Sequence, residues 1–114
     1  MKTLDEIALK PTDRLAIEAA ARTIRAQVPV AELILFGSKA EGRDDAESDI
    51  DLLVLTTREI SWHERGALMG SLYPIQLEYD VVISPLVVPV KEWQQGLYSV
   101  LPLHDEIEGH GIAA

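Results

Sequence analysis

"LILFGSKAEGRDDAESDIDLLVL", residues 33–55, decides how the chain is read. Two apolar runs, "AELILFG" (31–37) and "DIDLLVLT" (49–56), flank a polar stretch rich in glycine and acids, the pattern of two strands bounded by turn residues. Successive side chains of a strand point to opposite faces, so Asp49 and Asp51 share one face and Ile50 takes the other. Two carboxylates side by side repel each other and resist leaving water, an arrangement a buried strand normally excludes. A divalent cation removes the penalty, because magnesium favours carboxylate oxygens together with substrate phosphates and retained waters. Upstream, Gly37 ends the first run and Ser38 opens the turn, where backbone N–H groups and a small side chain can approach phosphate oxygens. Lys39 and Arg43 either add positive charge there or sit solvated in the loop.

Working outward, "PTDRLAIEAAARTIRAQV" (11–28) repeats Ala16, Ala20, Ile24 and Val28 every fourth residue, an amphipathic helix with Thr12 as its expected cap. Residues 58–72 have helical spacing, with Pro74 as the expected stop. "QLEYDVVIS" (76–84) alternates well enough to predict a third strand closed by Pro85, which places Asp80 beside the first two acids if strands two and three pair. Three carboxylates on neighbouring strands can bridge two metal ions about 3.5–4 Å apart, the arrangement of a phosphoryl- or nucleotidyl-transfer site. "PLVVPVKEWQQG" (85–96) reads as an irregular edge segment with one helical turn, and its apolar part either packs or docks a partner. Residues 99–111 read as a last short helix with glycine stops.

The 114 residues suit one domain, 1–114, whose single core buries roughly two-thirds of the surface exposed on unfolding. A 47% apolar and 25% charged composition is that of a globular chain. The absence of cysteine excludes thiol nucleophiles, thiolate metal sites and disulfides. No eighteen-residue apolar run is present and "MKTLDEIALKPTD" carries acids where a signal peptide needs an apolar core, so a cytoplasmic protein without membrane contact is expected. A net charge of −9 opposes direct nucleic-acid binding but not a nucleotide held through cations. His63, His104 and His110 have no partner at ligand spacing and receive no role; Trp62, Trp93 and Tyr98 read as packing residues.

Gly37-Ser38, ten intervening residues and Asp49-Ile50-Asp51 resemble the Gly-Ser…Asp-x-Asp signature of the DNA polymerase β-like nucleotidyltransferases. Within that superfamily the short chain is similar to the minimal nucleotidyltransferases, antitoxin halves of HEPN/MNT toxin–antitoxin pairs; the likeness runs from about Ala31 to Ser84. It implies an α+β, polymerase-β palm-like fold, an αβαβα core whose small mixed sheet carries helices on one side. It also implies Mg2+, two ions by the family pattern, and transfer of AMP from ATP to a hydroxyl. By the resemblance Gly37 and Ser38 bind the triphosphate, Asp49 and Asp51 ligate metal, and Asp80 ligates metal and helps activate the acceptor. Glu41 departs from the pattern, standing where relatives carry a basic residue, and is expected to face solvent.

Three functions follow as expectations. The first is AMP transfer to a hydroxyl, expected to be a tyrosine's, on a cognate HEPN ribonuclease toxin, which silences it. The second is an antitoxin that neutralises by binding alone. The third is a transferase acting on a small molecule, in the manner of aminoglycoside nucleotidyltransferases, with a homo-oligomer supplying the rest of the site.

Overall fold

The computed structural model describes residues 1–43 and 49–114; Asp44, Asp45 and Glu47, the acids that adjoin Asp49 in sequence, lie outside them. After a two-residue strand β1 (Lys2–Thr3) comes helix α1 (Pro11–Gln27). The hairpin strands β2 (Val30–Phe36) and β3 (Ile50–Thr56) follow, then α2 (Trp62–Tyr79), β4 (Ile83–Pro89), α3 (Val90–Gln95), α4 (Pro102–His110) and β5 (Ile112–Ala113). The sheet order is β1-β5-β2-β3-β4, with β2 antiparallel to both β3 and β5, and β3 parallel to β4. The sheet is mixed and the fold α+β, as the resemblance implied, with β2 and β3 forming a single hairpin step between helices.

Several local expectations are corrected. Pro11 occupies the first turn of α1 and the N-cap position falls to Lys10, whose side chain makes no capping hydrogen bond, so Thr12 is not the cap; proline needs no N–H partner at a helix start and its φ is already helical. Pro74 does not end α2, which continues to Tyr79. Leu68 and Leu72, with Ile75 and Tyr79 partly buried behind them, keep one face of that helix in the core, and this burial outweighs the missing backbone hydrogen bond. Consequently residues 76–79 are helical, and the third strand begins at Ile83 and includes both Pro85 and Pro89. As the outermost strand of the sheet, β4 tolerates prolines that a central strand would not.

Helices cover both faces of the sheet rather than one. Ala16, Ile17, Ala20 and Ile24 of α1 and Leu68 and Leu72 of α2 pack with Leu33, Leu35, Ile50, Leu52, Val54 and Val87. On the other face Trp93 of α3 and Ile107 of α4 pack with Ile34, Leu53, Leu55 and Val88. His104 stacks against Trp93 with ring centroids 4.7 Å apart, a packing role in line with the sequence reading. Among the described residues no helix is long and apolar enough to cross a membrane.

Candidate active site

Strand alternation places Ile50, Leu52 and Val54 on the face packed by α1 and α2, and therefore Asp51, with Leu53 and Leu55, on the opposite face. Apolar side chains fill that opposite face as far as Phe36, which pairs with Asp51 across the hairpin. Beyond this point the face opens: Asp51 is half-buried and Asp49, one step before the strand, is exposed. The carboxylate pair thus sits where the second core layer ends.

The glycine turn is built against the acids. Gly37 adopts φ +80°, a left-handed conformation that disfavours any side chain, and a Cβ at this position would lie 2.4 Å from Asp51 Oδ2. Its lack of a side chain is therefore what lets the Asp51 carboxylate rest on the turn that Gly37 and Ser38 begin. The turn is closed by Glu41 N–H donating to Gly37 O at 3.2 Å and by Arg43 N–H donating to Ser38 O at 2.9 Å. The two halves of the motif, separated by ten residues in sequence, are in contact in space.

Lys39 is neither a phosphate ligand in waiting nor a solvated loop residue. It is 3% exposed, and its Nζ lies 2.9 Å from Asp13 Oδ2 in the first turn of α1. That buried ion pair ties the glycine turn to the helix behind the sheet. Arg43 pairs with Glu41 at 3.1 Å. Glu41 does not point into solvent as expected: it is partly buried and lines a cavity of about 580 Å³ formed with Lys2, Glu108 and His110. Neither Asp49 nor Asp51 lines that cavity.

Asp80 is not brought to the pair as a strand residue. It is the left-handed C-cap of α2 (φ 52°), exposed, on the turn into β4. The parallel register sets Ile50 opposite Ile83 and Asp51 opposite Ser84, so Asp80 falls three residues short of the strand it was assigned to. The strand position through which Asp80 was expected to reach the pair is corrected to a helix cap, and among the described residues no group of three His, Asp or Glu converges as a metal-ligand set. The position beside the pair belongs to Ser84, whose hydroxyl donates to Asp49 Oδ2 at 3.3 Å. Sequence reading missed this serine because its significance depends on the β3–β4 register, which no local pattern encodes.

Electrostatically the pair is under load. Burial, and secondarily the charge of Asp49, raise the pKa of Asp51 above the ordinary carboxyl value of 3.8. Both causes penalise the ionised form, and a bound cation relieves both. Two carboxylates and a hydroxyl offer oxygen donors alone, the ligand chemistry magnesium favours.

An α+β fold with a mixed sheet and a glycine turn resting on an Asp-x-Asp strand defines a nucleotidyltransferase. Residues 18–92 match the family model described as "Polymerase beta, Nucleotidyltransferase", and the chain belongs to that family. The matched span contains Gly37, Ser38, Asp49, Asp51 and Ser84. Over 80 residues the chain is 38% identical to a Methanocaldococcus jannaschii protein named "Putative protein adenylyltransferase", covering 70% of this chain and 74% of that one. Two solved structures share the fold at 19% identity and a TM-score of 0.59. "Structure of putative minimal nucleotidyltransferase" covers 93% of this chain and 98% of its own, and "Crystal structure of the toxin-antitoxin with AMP-PNP" covers 91% and 72%.

Proposed function

We propose that the chain is a magnesium-dependent protein adenylyltransferase that moves AMP from ATP to a hydroxyl of a cognate toxin. The observation that carries the reading is the contact between the Asp51 carboxylate and the Gly37 turn, which sets a cation-demanding acid pair directly against a glycine turn whose backbone N–H groups suit phosphate oxygens. The name of the M. jannaschii relative supports a protein acceptor, and the fold shared with a toxin–antitoxin structure bearing an ATP analogue supports a toxin as that acceptor.

Asp49 and Asp51 would hold magnesium, and Gly37 and Ser38 would receive the triphosphate. Magnesium when bound neutralises phosphate charge and polarises the phosphoryl oxygens. The acceptor oxygen bonds to the α-phosphorus as the bond to the bridging oxygen breaks; pyrophosphate leaves, and the hydroxyl proton passes to solvent at the exposed Asp49 end. The protein's contribution is mainly position: the sheet fixes both acids, and Ser84 orients Asp49 through its hydrogen bond. Asp80, the third carboxylate by the family resemblance, would assist the acceptor hydroxyl from the turn that leads into β4. A tyrosine of a HEPN-type ribonuclease is the acceptor proposed, and silencing of that toxin the consequence.

The test is incubation of the purified chain with α-labelled ATP, magnesium and the product of the adjacent gene. Label on the partner with wild type and none with Asp49→Asn supports the reading. If the Asp49→Asn, Asp51→Asn double variant still neutralises the toxin in cells, the antitoxin acts by binding alone. Label on an aminoglycoside-class alcohol and none on protein would move the acceptor to a small molecule.

A further inference from the structure

Helix α2 has two apolar faces. One is buried in the core through Leu68 and Leu72. The other looks outward, with Trp62 88% exposed, Leu77 69%, Tyr73 51% and Met69 46%. At 3.6 residues per turn these four, with Gly66 and Gly70, fall on one stripe running the length of the helix, about 27 Å. Within the stripe two rows spaced by four residues differ in height: beyond Trp62, Gly66 and Gly70 make a groove, and Met69-Tyr73-Leu77 a ridge beside it.

The glycines have no purpose inside the chain. A Cβ at Gly66 or Gly70 would meet nothing within 4 Å, and neither residue adopts positive φ. Glycine in an exposed helix interior costs about 0.5–1 kcal/mol relative to alanine, a cost that nothing packed against them here explains. At Gly66 the missing side chain opens a notch of about 220 Å³ walled by Trp62, Arg65 and Met69.

We infer that this face of α2 is the contact between two copies of the chain, joined as antiparallel helices about a two-fold axis between Met69 and Gly70. In that arrangement large residues meet small ones about the axis: Met69 lies over Gly70 of the partner subunit, and Tyr73 enters the notch at Gly66 of the partner subunit. Leu77 then lies opposite Trp62 of the partner subunit. A two-fold contact must be self-complementary, and a ridge running beside its own matching groove is. Charge selects the same occupant. Each chain carries a net charge of −9, so copies repel except where acids are absent, and the stripe carries none; the charged residue that walls its notch is Arg65. A basic partner would seek carboxylates, which this face does not offer. Arg65 would stack on the incoming tyrosine ring.

The contact is independent of nucleotidyl transfer, since α2 packs on the sheet face opposite Asp51. The test is the solution mass of the full chain by sedimentation equilibrium over a concentration series, for wild type and for Gly66→Glu, Tyr73→Ala and Tyr73→Phe. Wild type is expected to approach twice the 12.6 kDa chain mass, as is Tyr73→Phe. Gly66→Glu and Tyr73→Ala are expected to stay at the single-chain mass with unchanged helical circular dichroism, Gly66→Glu because the open space there accommodates a side chain. A wild type that is monomeric at every concentration overturns the inference, and so does a Gly66→Glu variant that remains dimeric. A monomer that binds the adjacent gene product through this face, and loses it in Gly66→Glu, would assign the face to that protein instead. In all cases magnesium-dependent ATP binding by Gly66→Glu should match wild type, which separates failure here from failure of the proposed function.

Discussion

The two faces of the sheet are built by the same strands and put to different uses. Behind it, α1 and α2 close a core of Leu33, Leu35, Ile50, Leu52 and Val54 without a break. In front, the apolar layer of Ile34, Leu53, Leu55 and Trp93 stops at Phe36, and the next positions on that face are Asp51, Asp49 and Ser84. Because side chains alternate, one strand supplies both the residues that hold the fold and the acids that strain it. The lesson is that the site depends on the closed face for its position and weakens the open face locally.

Substitutions should separate the two. The largest loss is expected where the closed side anchors the open one: Asp13→Ala breaks the 2.9 Å buried ion pair that ties Lys39 to α1 and should cost about 3–5 kcal/mol, read by urea unfolding. Leu52→Ala, on a wholly buried side chain of β3, should cost about 2–5 kcal/mol and lower the chemical midpoint without altering metal response. On the open face Gly37→Ala should cost about 1–3 kcal/mol through its left-handed φ and, unlike Leu52→Ala, should also disturb Asp51, whose carboxylate the new methyl group strikes.

Asp51→Asn should act in the opposite direction. The folded-state pKa of Asp51 is raised, so its contribution to stability is fully present below the ordinary 3.8 and is lost as pH rises through the elevated value. Relative to Asp51→Asn, wild type should therefore lose stability as pH climbs from 3.8 through the elevated value, and thermal melts across pH would show it. Magnesium should restore the wild type at neutral pH and leave the asparagine variant unmoved. The smallest effect belongs to Glu64, whose pKa is lowered to about 2, first by hydrogen bonding to Arg58 and then by the Ser61 backbone. Its contribution is present above 4.5 and lost as pH falls toward about 2, so wild type and Glu64→Gln should converge in acid.

How much of this was legible in the sequence follows the same division. The hairpin was readable because both strands have clean boundaries and the two acids break an apolar run at a two-residue interval. Residues 76–82 misled because Leu77, Tyr79 and Val81 alternate while Leu68, Leu72, Ile75 and Tyr79 also keep helical spacing; tertiary burial chose the helix, and Asp80 went with its cap. The two-residue strands β1 and β5 are too short to carry a period. Lys39 read as a loop residue because its partner lies 26 positions away, and Ser84 went unnoticed because only the parallel register gives it meaning.

The most direct measurement is calorimetric binding of ATP to the purified chain with and without magnesium. Magnesium-dependent binding in wild type, abolished in the Asp49→Asn, Asp51→Asn double variant while its circular dichroism is unchanged, is the predicted result. Binding of equal strength in the double variant, or none in wild type at any magnesium concentration, would contradict the assignment of the carboxylate pair and glycine turn as the nucleotide site.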